Sequence, residues 1–383
     1  MKEVWLQKKE CTGCGACENI CPHNAIQLKP DQCGFIYPEI TDQCVDCNLC
    51  EKVCAQRKNK ILNYNTPVTY AVWSKDEQTR YCSTSGGAFS ELARTVLLNG
   101  GKVVGAQYNE KNLVEHVVIT SEDGLKKIRQ SKYIQSEIKL VYREVKSMLK
   151  GGIEVLFCGA PCQVAGLYAF LGKEYEHLIT ADFICRGMNS PKAYMSWLDE
   201  IEKEHHSHVK QVWFKYKIGG WKKSPRCTRI DFENGEEVVY DQEKNLFMKG
   251  YLETNLYIRP SCGDCQFKGI PRQGDITLAD FWGLAENLDD DKGVSMVLLN
   301  NKKGEYMFGR VKDRLEIHQR NFEEIFEGNV CFANSVNINP KSEKFLCSLD
   351  RYTFSKALTK YTKPSVLTAW KKKIKSVGKK IYK

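Results

Sequence analysis

Cys11, Cys14, Cys17 and Cys21 follow the spacing C-x2-C-x2-C-x3-C, and Pro22 comes next. Cys44, Cys47, Cys50 and Cys54 repeat that spacing. Thiolates spaced this way ligate iron–sulfur clusters. Three close cysteines wrap one 4Fe-4S cubane in a tight loop, and the fourth reaches across to the other cubane. The pattern assigns Cys11, Cys14, Cys17 and Cys54 to one cluster, and Cys44, Cys47, Cys50 and Cys21 to a second. Zinc sites rarely use the triple spacing, and a disulfide framework belongs in an oxidising compartment. The chemistry implied is transfer of electrons one at a time.

Four further cysteines stand in suggestive company. Cys162 lies in Phe157-Cys158-Gly159-Ala160-Pro161-Cys162-Gln163, just after a short apolar run that reads as a buried strand. Cys185 ends the next such run, and Cys262 with Cys265 forms a C-x2-C pair. Strand ends of an α/β sheet converge on one crevice, so these four could hold a third 4Fe-4S cluster. The alternative is buried free cysteines beside a zinc-like pair without its partners. Cys158 is expected to point less usefully, from a strand interior. Cys33 fits neither repeat, and Cys82, Cys227, Cys331 and Cys347 have no partner pattern, so all five read as structural.

Ser83-Thr84-Ser85-Gly86-Gly87 falls between an expected strand and helix. Small hydroxyl and glycine residues let backbone N–H groups approach an anion at a helix start. The plain alternative is a helix cap with Ser85 at the N-cap. Beside an iron–sulfur module a flavin pyrophosphate fits this loop, because a flavin converts between single electrons and electron pairs. Glu204-His205-His206-Ser207-His208 reads as a solvated helix end rather than a metal site.

The elements that must position these groups come in three textures. Residues 1–60 form a two-cluster ferredoxin-type domain, too poor in apolar residues to fold without its clusters. Residues 59–67 read as a polar linker. Residues 68–205 alternate strands and helices, the rhythm of an α/β domain carrying the flavin loops. Residues 206–350 are richer in strands and carry the C-x2-C loop, with a turn at Asn234-Gly235. The expected fold is thus α/β, α+β overall. The chain has 383 residues and a formal charge of +10, but Lys363 to Lys383 holds eight lysines and no acid, and without it the charge is +2. That basic tail, 363–383, reads as a frayed terminus, or else as an amphipathic contact to a membrane surface or an acidic partner. The first ten residues lack the apolar core of a signal peptide and no run is long enough to span a bilayer, so a reducing cytoplasm is the expected location.

In this order of motifs the chain resembles the coenzyme F-420 hydrogenase/dehydrogenase beta-subunit family, in the version with an N-terminal two-cluster ferredoxin. The segments that carry the resemblance are Ser83 to Gly87, Ser131-Lys132-Tyr133-Ile134-Gln135-Ser136, Phe157 to Gln163 with Ala165-Gly166-Leu167, and Cys185 to Pro191. They continue with Phe214-Lys215-Tyr216-Lys217, Gly220-Trp221, and Arg259 to Cys265 leading to Arg272-Gln273-Gly274-Asp275 and on to Gly283. The resemblance implies bound FAD, contacted by the loops Ser83, Thr84, Ser85, Gly86 and Gly87 and Ser131, Lys132, Tyr133, Gln135 and Ser136. It also implies Cys162, Cys185, Cys262 and Cys265 as ligands of the third cluster. Arg186 stands where the family usually has histidine, Ala160 where it has threonine, and Lys215 where it has arginine, which leaves the acceptor open.

The expected function is an iron–sulfur flavoprotein oxidoreductase that passes electrons between 4Fe-4S clusters and FAD and on to, or from, a small organic acceptor. Lys132, Arg186, Lys217 and Asp280 are the candidate acid–base and anion-binding groups. The alternatives are an electron-transfer subunit without its own substrate, docked to a hydrogenase or dehydrogenase, and a ferredoxin-dependent reductase of surface-polysaccharide synthesis. Expected partners are an electron-carrying protein such as ferredoxin and a small-molecule acceptor, with no nucleic acid.

Overall fold

The computed structural model describes residues 6–57, 63–241, 243–284 and 286–362. The basic tail and residues 59–62 of the expected linker lie outside these residues. The first module holds β1 (Ile26–Pro30) and β2 (Ile36–Ile40), paired antiparallel, and the short helices Ala16–Ile20 and Leu49–Lys52. Its apolar core is small, with Cys21, Ala25, Ile26 and Ile40 buried together.

The body is built on one large sheet. Its strands are β3 (Val68–Ser74), β4 (Lys102–Tyr108), β5 (Val114–Ile119), β6 (Ser136–Glu137), β7 (Val155–Cys158) and β8 (Leu178–Phe183). A separate layer takes β9 (Val209–Phe214), β10 (Thr228–Phe232) and β11 (Glu237–Tyr240), after which β12 (Ile276–Asp280), β13 (Ser295–Leu299) and β14 (Leu315–Arg320) return to the large sheet. The order is β14-β3-β13-β12-β8-β7-β4-β5-β6. Strands β4, β7, β8 and β12 run parallel in its centre, and their neighbours outward, β5 and β13, are antiparallel to them. Central parallel strands are covered on both faces, which is why β7 reads as a continuous apolar run and β8 is buried from Leu178 to Asp182. Because β12, β13 and β14 belong to the same sheet as β3 to β8, residue 206 does not divide two separately folded bodies.

Helices cover the sheet where apolar periodicity places them. Ala88–Leu98 buries Leu92, Ala93 and Val96, and Val141–Lys150 buries Val141, Tyr142, Val145 and Leu149. Strand β9 stops at Phe214, where Lys215 adopts a left-handed backbone (φ 55°). Arg272-Gln273-Gly274-Asp275 is a structural staple. The Asp182 carboxylate on β8 accepts from Arg272 (3.0 Å), from the N–H groups of Gln273 and Gly274 (both 3.1 Å) and from Thr277 Oγ1 (2.5 Å). Asp275 in turn accepts from Thr180 N at 2.7 Å. Satisfied on every side, this buried charge ties the segment after the C-x2-C loop to the sheet's centre.

Two arginines of the body hold the first module. Arg259, 1 % exposed, donates to Cys11 O (2.8 Å), Gln135 Oε1 (2.9 Å) and Ile36 O (2.9 Å), and lies 4.2 Å over the Tyr37 ring. Arg143 donates to Asn19 O and Cys21 O, both at 2.6 Å, closing the open carbonyl end of the helix Ala16–Ile20. Cys33 and Cys347, which sequence reading left unpaired, pack against each other between the module's loop and the helix Ser342–Ser348.

Candidate functional site

The loop that begins the module must turn sharply twice to aim three thiols inward. It does so at Gly13 (φ 67°) and Gly15 (φ 80°), a conformation that costs glycine nothing. The second repeat takes the same left-handed turns at the equivalent positions with Asp46 (φ 55°) and Asn48 (φ 56°), the side chains that best tolerate them. The reason for the difference is space. A Cβ on Gly13 would lie 2.5 Å from Gln135 Nε2, and one on Gly15 would lie 3.0 Å from Ile138 Cβ. The first loop is pressed against the body, whereas Asp46 and Asn48 are exposed.

Among the described residues, three cavities are each lined by four or more cysteines. Cys11, Cys14, Cys17 and Cys54 face the first. Cys21, Cys44, Cys47 and Cys50 face the second. Cys162, Cys185, Cys262 and Cys265 face the third, with Cys331 also on its wall. Burial lifts the thiol of Cys14 to about 11, and the facing Cys11 and Cys54 push it further. Burial raises Cys17 as well, helped by Cys14, Cys11 and Cys54. Cys50 is raised by burial and then by Cys47, Cys44 and Cys21. Cys162 is raised by burial, then by Cys185, Cys265 and Cys262, with Cys14 behind them. Four soft thiols crowded around an apolar hollow fit an iron–sulfur cluster and repel one another without it. No three His, Cys, Asp or Glu side chains among the described residues converge on a single metal ion. A cubane holds its thiolates further apart than one ion does, so that finding bears on single-ion sites alone.

The first and third cavities share a wall, and the third shares another with a fourth. Thr12 lines both the first and the third. Gly166, inside the helix Pro161–Leu171, lets that helix approach the first, since a Cβ there would lie 3.0 Å from Cys14 Sγ. Tyr142 bridges the same junction, its hydroxyl 2.8 Å from Cys14 O and 2.7 Å from Gln163 O. Cys185, Arg186, Gly187, Met188 and Cys331 line both the third cavity and a fourth, much larger one of about 460 Å³.

This large cavity opens where β4, β7, β8 and β12 end, at Ala106, Cys158, Phe183 and Asp280. Ser83, Thr84, Ser85 and Gly87 form part of its wall, as do Ser131, Lys132, Tyr133 and Ser136. Thr84 Oγ1 accepts from Ser131 N at 2.8 Å, which joins the two loops. Gly87 (φ 94°) is the N-cap of the helix Ala88–Leu98, so Ser85 is not. Ser85 Oγ instead donates to Val294 O at 2.6 Å. Gly86 is spent on packing, because a Cβ there would meet Val72 O at 2.3 Å. Gln135 lies away from the cavity, between module and body, where its Oε1 accepts from Ile36 N at 3.2 Å as well as from Arg259.

The four candidate acid–base groups separate in the structure. Lys132 is on the cavity wall, its Nζ donating to Arg129 O at 2.9 Å, and burial lowers it to about 7. Asp280 is also on the wall, in an ion pair with Lys215. Burial opposes charge on Lys215, but Asp280 and Tyr133 outweigh it and hold the lysine above its usual range. Arg186 lies between the third and fourth cavities, its guanidinium 4.7 Å over Tyr251 and donating to Tyr251 O, Leu252 O and Asn255 Oδ1. Lys217 is off the wall. Its Nζ donates to Arg80 O (2.7 Å), Ser85 O (2.6 Å) and Lys292 O (2.9 Å), so it anchors the serine loop from behind.

Sequence reading missed His116, which is on the cavity wall; Cys158 is on that wall too and stays out of the third cysteine cavity. His116 Nε2 lies 3.2 Å from Cys158 O, and burial lowers its pKa to about 4. Its Nδ1 and the Nε of Arg129, also on the wall, have no hydrogen-bond partner among the described residues. Buried polar atoms left open toward a cavity fit a polar ligand within it. Arg129 and Arg186, with Asp280 already paired to Lys215, make the wall basic, which suits a phosphate-bearing cofactor. Cys158 ends β7 instead of lying inside a strand, which brings it to the rim.

The chain is similar to known proteins in three stretches. Residues 69–141 match the family of N-terminal regions of the coenzyme F420 hydrogenase/dehydrogenase beta subunit, and residues 153–325 match the family of its C-terminal regions. Residues 4–27, which include the first cysteine repeat, match the family "4Fe-4S binding domain". No curated protein matches this chain. Among solved structures, a chain of the F420-reducing [NiFe] hydrogenase complex from Methanosarcina barkeri is similar with a TM-score of 0.46 and 17% identity, over 77% of this chain and 91% of that one.

Proposed function

This chain is homologous to the beta-subunit family of coenzyme F420 hydrogenases and dehydrogenases and carries a 4Fe-4S module ahead of it, and from that premise we propose that it is an electron-transfer flavoprotein subunit of a larger redox assembly. The observation that carries the reading is the series of shared walls, from the first cysteine cavity through Thr12 to the third, and from there through Cys185 to Met188 into the large cavity. Three 4Fe-4S clusters and one FAD are the occupants proposed for the four cavities. A flavin bound in the large cavity would supply the conversion between single electrons and an electron pair.

The residues divide the remaining work. The serine loop and Ser131 to Ser136 line the place where a phosphate-bearing cofactor would lie, and Lys217 holds the first of these loops from behind. Arg186 and Met188 line both the third cavity and the fourth, so an electron would cross at this shared wall. Tyr142 and Gly166 fix the distance from the first to the third. Thiolate ligands call for a reducing compartment, so the proposed location is the cytoplasm.

The reading is tested on anaerobically purified protein. It predicts about twelve iron atoms per chain, since each cubane carries four, together with one releasable FAD and dithionite bleaching of both. Eight irons and no flavin would sink it. A second reading has an observation of its own. Lys132, near neutrality, and the unpartnered His116 Nδ1 face one cavity and could exchange a proton with a bound organic acceptor. Coenzyme F420 added to the dithionite-reduced protein would lose its deazaflavin absorbance if this chain reduces it, and keep it if the chain serves only as a relay.

A further inference from the structure

The two cysteine repeats are equivalent in spacing and in backbone turns, yet they face different surroundings. Position by position, Thr12 of the first corresponds to Val45 of the second, and Ala16 to Leu49. Thr12 faces the third cavity, and Ala16 is 1 % exposed against the body. Val45 is 59 % exposed and Leu49 36 %. Cys47 is the only exposed cysteine of the eighteen. The face through which the first repeat meets its neighbour inside the chain is therefore open to solvent on the second.

Resting on the reading above, we propose that the Asp42–Leu49 surface is the docking site of a separate one-electron carrier protein, whose contact face is apolar with a basic rim. Two observations define that partner. Val45 and Leu49 are exposed apolar side chains beside a thiol that lines the second cavity. The same stretch carries Asp42 and Asp46 and no basic residue. The internal contact has the matching chemistry, for the first repeat is met by apolar side chains and by the buried guanidinium of Arg259. A bound carrier exchanges one electron across this face, and no proton or atom moves with it. The order of transfer follows: carrier, second cavity, first cavity, third cavity, large cavity, or the reverse.

The test uses the reduced holoprotein and ferricytochrome c, a one-electron carrier with a lysine-rimmed haem edge. Each electron that leaves the protein converts one haem iron(III) to iron(II), followed by absorbance. The Asp42→Lys/Val45→Lys variant leaves every cysteine and Asp46 in place. Steering by complementary charge predicts that its rate at low salt falls at least about tenfold and that its dependence on ionic strength flattens. Oxidation by uncharged benzoquinone, and cytochrome c reduction by a variant with Asp123→Lys, an exposed side chain on the helix Glu122–Ile128, should stay at the unsubstituted rate. Equal cytochrome c rates for the docking variant and the unsubstituted protein, with the cluster EPR signals intact, overturn the docking site alone. Absence of cluster EPR from the unsubstituted protein overturns the functional reading and this site with it.

Discussion

The two cysteine repeats of the first module make the same loop from different residues, and the difference records what each loop touches. Glycines make the left-handed turns where the body presses close, at Gly13 and Gly15. Asp46 and Asn48 make them where the loop faces solvent. Equivalent backbone thus carries opposite surface roles, one half buried against Arg259 and Arg143 and the other presented outward. The lesson is that cysteine spacing specifies the cage, whereas the residues between the cysteines specify the neighbour.

The largest way to break the comparison is to remove the iron. The module's own apolar core is small, so chelation should abolish amide-exchange protection across residues 42–54, while residues near Gly13 keep part of theirs through Arg259 and the sheet of the body exchanges as before. Uniform loss across both repeats would show that the contact with the body contributes nothing. Next in size is Arg259→Ala, which leaves the carbonyls of Cys11 and Ile36 without their buried donor. Hydrogen bonds to charged groups of this kind are worth about 2 kcal/mol each, so a loss of roughly 3–5 kcal/mol is expected, read by thermal unfolding.

Acid should act on the body before it acts on the module contact. His116 is neutral when folded because burial holds it at about 4, below the usual histidine value. The unfolded chain binds that proton first. Stability from this group is therefore complete above about pH 6.5 and is lost as pH falls toward 4, by up to about 3 kcal/mol. A His116→Phe variant should flatten the fall in denaturation midpoint over that window; an unchanged slope would remove His116 as its cause. Swapping the turn residues gives the smallest and sharpest contrast. Gly15→Asn drives a side chain into Ile138 and should cost about 2 kcal/mol, whereas Asn48→Gly should stay within about 0.5 kcal/mol. Equal effects at the two sites would mean that both loops are equally free.

How much of this could be read from the chain alone depended on distance along it. Local signals survived well: the apolar faces of Ala88–Leu98 and Val141–Lys150, the hairpin turn at Asn234-Gly235, and the short buried runs that became β7 and β8. Each is a pattern written within one turn or one strand. The alternative of a cap at Ser85 falls because Gly87 starts the helix and Ser85 Oγ is taken by Val294 O, a contact distant in sequence. Sequence reading counts Lys217 among the candidate acid–base and anion-binding groups. Its three carbonyl partners come from residues 80, 85 and 292, which no local pattern connects. The meeting of Cys33 with Cys347 was invisible for the same reason.

The cysteine spacings and the apolar periods were determined by the sequence itself, because a thiolate cage and a helix face are both built from residues a few positions apart. The tertiary structure alone decided that Thr12 looks inward while Val45 looks out, that Gln135 joins two modules instead of lining a cavity, and that His116 and Cys158 stand beside Lys132. Those relations depend on which sheet edge a loop closes against and on which side the body leaves open. They are set by packing between segments a hundred or more residues apart, where the burial of one surface decides the exposure of its twin.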